Sequence, residues 1–220
     1  MPTQEARLRK LLYSNGSPYA RRVRIVLIEK GLDFESDIND GVRPIEEIKP
    51  HNPALQVPVF YDGDRHLFGS NLILQYLWDM YPTPEGKKGA APLAPTVTRP
   101  DQHWDDMLVL TTIEAMADAY VNTRWLAALD ETVVPYMARQ HERVRSCLDW
   151  LEERITPEGF WPGTFSAMDI NLMCPLLHAE KRGAMDFRSG QWPTITAMID
   201  HWQTRPSVMA TPVNEWPPRA

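Results

Sequence analysis

Cysteine is scarce: Cys147 and Cys174 are the only two in 220 residues. They allow one disulfide at most and match no metal-ligand spacing, so a disulfide scaffold and a cysteine metal centre are excluded and no metal is expected. Both lie in apolar, helix-spaced surroundings and read as inert core thiols. Long apolar runs are also lacking. None approaches the ~18 residues of a membrane span, so no membrane partner is expected. Met1 to Lys10 has no apolar block behind its charges, which argues against a secretory leader and for a cytoplasmic location. An excess of positive charge is missing too. The net charge of −6 argues against a nucleic-acid partner, because phosphate binding needs a cationic surface. The basic residues between Arg7 and Lys30 alternate with helix-spaced apolar ones and read as a solvated helix face.

Proline, by contrast, is abundant, with 20 residues, and its placement divides the chain. Pro82, Pro84, Pro92, Pro95 and Pro100 share a stretch with Gly86 and Gly89 that has no apolar period. Residues 83–100 therefore read as a linker between a domain at 1–82 and a domain at 101–220. Pro206, Pro212, Pro217 and Pro218 mark an irregular tail.

Before the linker, strand and helix signals alternate. Lys10 to Tyr13 is a short apolar strand stopped by Ser14-Asn15-Gly16. Pro18 to Lys30 carries a helical period, with Pro18 in the first turn and Gly31 past the end. Phe34 to Ile38 alternates, and Ile45 to Lys49 forms a short helix. Val57 to Tyr61, the Asp62-Gly63-Asp64 turn and Arg65 to Phe68 make a hairpin. Ser70 then caps a helix through Met80. The order is βαβαββα. After the linker, Asp101–Arg124, Val134–Ile155, Ser166–His178 and Pro193–Thr204 all repeat at helical spacing. The expected class is α+β, a thioredoxin-like domain followed by an all-α bundle.

Four segments carry a family resemblance: Ser17-Pro18-Tyr19-Ala20-Arg21-Arg22-Val23-Arg24-Ile25, Asn52-Pro53-Ala54-Leu55-Gln56-Val57-Pro58-Val59-Phe60, Phe68-Gly69-Ser70-Asn71-Leu72, and Phe165-Ser166-Ala167-Met168-Asp169-Ile170. In this order, with the proline-rich joint between the third and fourth, they resemble the glutathione transferase superfamily over nearly the whole chain. The Ser-Pro-aromatic start is most similar to the serine-type tau and omega-like classes and to unclassified bacterial members.

The resemblance implies that glutathione is the co-substrate. Pro58 matches the family's cis-proline, and Val57 the residue whose main chain pairs with the cysteinyl backbone of glutathione. Ser70, at a helix start, matches the group that receives the γ-glutamyl carboxylate. Relatives carry an acid where this chain has Gly69, and many carry lysine where it has Gln56. The acid's role would fall to Asp64 or to a partner subunit. Ser17 matches the hydroxyl that holds the glutathione thiolate, although it also suits a plain helix cap, and Tyr13 and Ser14 are competing hydroxyls. The implied acceptor pocket draws on Tyr13, Tyr19, Trp104, Met107 and Leu108. Ser166 and Asp169 stand at capping-box spacing and read as structural. The implied activity is a detoxification-type glutathione transferase acting as a homodimer. The alternatives are a glutathione-dependent isomerase or ether-cleaving lyase, and a non-enzymatic ligand- or partner-binding member.

Overall fold

The computed structural model describes residues 8–39, 44–82, 92–95, 100–128 and 134–213. It divides into two compact units, Met1–Glu85 with Pro206–Ala220, and Gly86–Arg205.

In the first unit β1 (Arg9–Tyr13), α1 (Pro18–Glu29), β2 (Glu35–Ile38), α2 (Ile45–Ile48), β3 (Val59–Asp62), β4 (Arg65–Phe68) and α3 (Ser70–Met80) follow the expected order. The sheet runs β2-β1-β3-β4, with β1 parallel to β2 and antiparallel to β3. The two-residue alternation of a strand sorts its faces. Leu12 and Val59 pack on Ile48 of α2, with Val57 and Tyr61 at the margin. Leu11 and Phe60 point the other way, and the Phe60 ring meets Tyr76 of α3. α3 in turn packs on α1. Burying the fully enclosed Leu11, Phe60, Ile73, Leu74 and Leu77 contributes about 1.5–3 kcal/mol each.

Three expectations change. β3 starts at Val59, later than the expected Val57, because Pro58 has no N–H to give to a ladder. Gly69, not Ser70, is the N-cap of α3, leaving Ser70 as the first helical residue. The solvated basic face is also wrong in part, since Arg21, Arg22 and Lys30 are 6%, 0% and 4% exposed. Their aliphatic stems follow the buried stripe of α1, and their charged ends find partners inside.

The second unit holds α4 (His103–Ala128), α5 (Val134–Glu152), α6 (Ala167–Lys181) and α7 (Pro193–Trp202). α4 packs on both α5 and α6. A parallel pair that the helical reading lacks, β5 (Leu93–Ala94) and β6 (Phe165–Ser166), sits among them. Two-residue strands are too short to show a period, and β5 lies inside the expected linker. The rest of that linker at 83–91 and 96–99 falls outside the described residues. α6 is buried on nearly every side, as a helix without a polar face must be. Cys174 is buried, whereas Cys147 is half-buried with its thiol pushed up by burial.

The tail is the largest change in organisation. Pro206 onward belongs with the first unit, where a one-turn helix α8 (Pro206–Met209) packs on α1. Four prolines in the last fifteen residues conceal it. Among the described residues no helix is long and apolar enough to cross a membrane, and no group of three or more His, Cys, Asp or Glu could hold a metal ion.

Candidate functional site

The first piece of the site is the turn from β1 into α1. The Ser14 hydroxyl accepts from the Gly16 N–H at 3.2 Å, and the Ser14 carbonyl from the Ser17 N–H at 3.0 Å. Ser14 therefore shapes the turn. Ser17 is the N-cap, in extended backbone, and Pro18 is the first helical residue. The Ser17 oxygen accepts from the Ala20 N–H at 3.2 Å, which satisfies one of the orphan donors of the helix start. Capping uses a lone pair only. Among the described residues the Ser17 hydroxyl proton has no acceptor.

The second piece is the loop before β3. Asn52, 2% exposed, accepts from the Ala54 N–H and donates to the Gln56 carbonyl, both at 2.8 Å. These two bonds hold Leu55 at φ 58° and lead into the cis Val57–Pro58 peptide. Pro58 is buried and Gln56 exposed. No described residue hydrogen-bonds to the Val57 N–H or C=O.

The third piece is the start of α3. Gly69 adopts φ 86°, ψ 115°, a conformation that strains any residue with a Cβ. Ser70 is 6% exposed and receives the Arg22 guanidinium on its hydroxyl at 3.5 Å. Arg22 itself is wholly buried, and its guanidinium lies 4.9 Å from the Tyr19 ring centroid.

Register brings the three pieces to one end of the sheet. Leu12 pairs with Val59, and Val59 with Phe68. One residue beyond each pair stand Tyr13, Pro58 and Gly69, so the Ser17 turn, the Val57 backbone and the Ser70 helix start share an edge. Asp64 does not reach it. It lies in the turn at the opposite end of β4, a strand of four residues or ~13 Å away, so it cannot stand in for an acid at Gly69.

The residues named for the acceptor pocket divide between the two units. Tyr13 is 3% exposed with its hydroxyl on Ser36, 3.4 Å away, so it packs against the sheet. Tyr19 is half-buried against Arg22. Trp104, Met107 and Leu108 belong to α4 of the second unit. Trp104 is 81% and Leu108 52% exposed, and Met107 is half-buried. Trp104 and Leu108 are thus surface groups of that unit.

Sequence reasoning missed Arg22 and Asn52. Both stand inside the quoted motifs. The Asn-Pro pair is a turn signal that could have indicated Asn52. Nothing local separates Arg22 from the neighbouring arginines.

The other end of the sheet carries structural chemistry. Asp62, 3% exposed, accepts from the Tyr76 and Tyr81 hydroxyls on one oxygen, both at 2.6 Å. Burial, then the Asp62 contact, pushes Tyr76 up to about 12. Lys30 donates to the Tyr81 carbonyl at 2.8 Å, and burial lowers it to about 8. In the second unit Ser166 and Asp169 form the expected capping box.

Comparison with known proteins follows the same lines. A model of the glutathione S-transferase N-terminal domain matches residues 11–85. A stringent starvation protein A homolog of Histophilus somni is 38% identical over 66 residues, 30% of this chain and 31% of that protein. Glutathione S-transferase F7 of Arabidopsis thaliana is 44% identical over 68 residues, 30% of this chain and 32% of that protein. The chain thus spans about a third of the length of the curated relatives it matches. A solved glutathione S-transferase of Methylobacterium radiotolerans, in complex with glutathione sulfonate, is 25% identical with a TM-score of 0.78, covering 94% of this chain and 96% of that one. With residues 11–85 matched, the chain carries a glutathione S-transferase N-terminal domain, and its fold is similar to that of a solved glutathione S-transferase along 94% of its length.

Proposed function

We propose that the chain binds glutathione at the sheet end formed by Ser17, Val57 and Ser70 and activates its thiol for attack on a small electrophile. One observation carries this reading: the Ser17 oxygen caps α1 while its proton stays uncommitted among the described residues. A free thiol titrates near 8.5, and lowering it by ~2 units needs roughly 2.7 kcal/mol. A hydrogen bond to a charged acceptor contributes about 1.5–3 kcal/mol, and a helix N-terminus roughly 0.3–1. One hydroxyl at this position is enough. The thiol proton leaves to solvent, Ser17 donates to the thiolate, and the sulfur then bonds the electrophilic carbon as that carbon's bond to its leaving group breaks, the leaving group departing with the bonding pair.

The other groups hold the tripeptide. The Val57 N–H and C=O would take its cysteinyl backbone as an added strand. Ser70 and the start of α3 would take the γ-glutamyl carboxylate, with the buried Arg22 charge behind them. Gln56 would donate to the glycyl end. That a solved neighbour holds glutathione sulfonate supports this ligand. The protein would work as a homodimer in the cytoplasm.

Calorimetric titration with glutathione, followed by turnover assays of wild type and Ser17→Ala with electrophilic acceptors, tests the reading. Turnover is expected to fall about tenfold or more with glutathione affinity nearly unchanged. Unchanged turnover removes Ser17 from the mechanism. Gly69 favours a second reading, a non-enzymatic ligand- or partner-binding member, because the chain offers no side-chain acid there to the γ-glutamyl ammonium. Absence of binding at millimolar glutathione would select it.

A further inference from the structure

Residues 207–211 lie along α1 from its last turn to its first. At the far end, the Ser207 hydroxyl donates to the Glu29 carboxylate. Two helical turns back, Arg21 donates through Nη2 to the Val208 carbonyl at 3.2 Å and through Nε to the Thr211 hydroxyl at 3.5 Å. Thr211 is wholly buried and Arg21 6% exposed. The Thr211 hydroxyl also reaches the Ser207 and Val208 carbonyls at 3.0 and 3.1 Å, so its orientation is fixed from the tail side.

Arg21 is also part of the first turn of α1, where its N–H donates to the Ser17 carbonyl at 3.1 Å. The residue that grips the tail is therefore the one whose backbone closes the turn carrying the Ser17 hydroxyl. A guanidinium with two tail partners at different angles fixes the rotation of that turn better than a single contact. We infer that the C-terminal strap positions Ser17, with Arg21 and Thr211 as the positioning residues.

The inference rests on the proposed thiolate role of Ser17, and its consequence is specific. Loosening the strap moves a donor needed for the charged thiolate and leaves the glycyl and γ-glutamyl contacts in place. It should change the thiol pKa of bound glutathione and kcat, but not KM for glutathione.

The test compares Thr211→Val, which keeps the shape and removes the hydroxyl, with Thr211→Ser, which keeps the hydroxyl, and with Arg21→Lys. Thiolate absorbance of bound glutathione is titrated against pH, kcat and KM are measured, and amide exchange of the Ala20 and Arg21 N–H groups is followed in the free protein. Thr211→Val and Arg21→Lys should raise the bound thiol pKa by about half a unit or more and lower kcat at least about threefold, with KM within about twofold. Both should also speed exchange at the two amides, and Thr211→Ser should restore every readout. Unchanged pKa and exchange in Thr211→Val, or equal changes in kcat and KM, would overturn the positioning role. If wild type neither binds glutathione nor lowers its thiol pKa, the thiolate reading fails, and accelerated exchange would then support only a mechanical tie between strap and turn. Without that acceleration the tie falls as well.

Discussion

Two serines begin two helices in this protein, and among the described residues only one of them has a hydroxyl proton without an acceptor. Ser166 is wholly buried at the start of α6. Its oxygen accepts from the Asp169 N–H at 3.1 Å, its hydroxyl donates to the Asp169 carboxylate at 2.6 Å, and its own N–H donates there at 2.8 Å. The Phe160 N–H adds a further bond to Asp169 at 3.0 Å. Ser17 makes one capping bond at 3.2 Å and is half-buried. The residue three on is Ala20, fully buried, where an acid would be desolvated without partners. A reciprocated cap consumes its hydroxyl and becomes structure, whereas an unreciprocated cap keeps a donor for a ligand.

The strongest way to break the contrast is at Gly159. It adopts φ 111°, and a Cβ there would stand 2.4 Å from Asp169 Oδ1. Gly159→Ala should cost about 3–5 kcal/mol by adding backbone strain to a clash with the capping carboxylate. A urea midpoint close to that of wild type would show that the box yields.

Next comes pH. Burial raises the Asp169 carboxyl to about 6, against the Ser166 and Phe160 hydrogen bonds that lower it. The folded state then holds a proton that the unfolded chain releases near 3.8, so this group's contribution is greatest below pH 4 and is lost as pH rises through 6. The loss is about 3 kcal/mol. Asp169→Asn should remove that slope between pH 4 and 6 in denaturation curves compared with wild type. Parallel curves would place the carboxyl's titration elsewhere.

Smaller effects sharpen the comparison. Ser166→Ala should cost about 2 kcal/mol, because it removes both a cap and a partner of a buried carboxylate. Ser17→Ala should cost about 1 kcal/mol, the usual value of a cap. If thermal denaturation ranks the two in the reverse order, Ser17 is the more structural of the pair.

Much of the fold was legible because its signals are local. Pro18 at a helix start, the Asp62-Gly63-Asp64 turn and the Ser166–Asp169 spacing each act within four residues. The site was legible as three motifs, and sheet register unites them. Asp64 was misjudged although the expected Arg65–Phe68 strand already separates it from Gly69 by the strand's full length. The burial of Tyr13 and the exposure of Trp104 were not legible, since helix and strand periods give a face but not its neighbour.

The sequence by itself determined the order of strands and helices as far as α3, the starts of α1 and α6, and which hydroxyls stand at those two starts. Caps and turns are bonds between near neighbours, so adjacent residues suffice to specify them. Only the tertiary structure decided that Arg22 is buried behind Ser70, 48 residues away, and that Arg21 holds a strap 187 residues further on. It also decided which capping serine donates its hydroxyl proton to an acceptor and which, among the described residues, does not. Those outcomes depend on which groups the packed chain brings within hydrogen-bond range, and burial then makes each pairing obligatory, since an unpaired polar group inside costs several times what a paired one contributes.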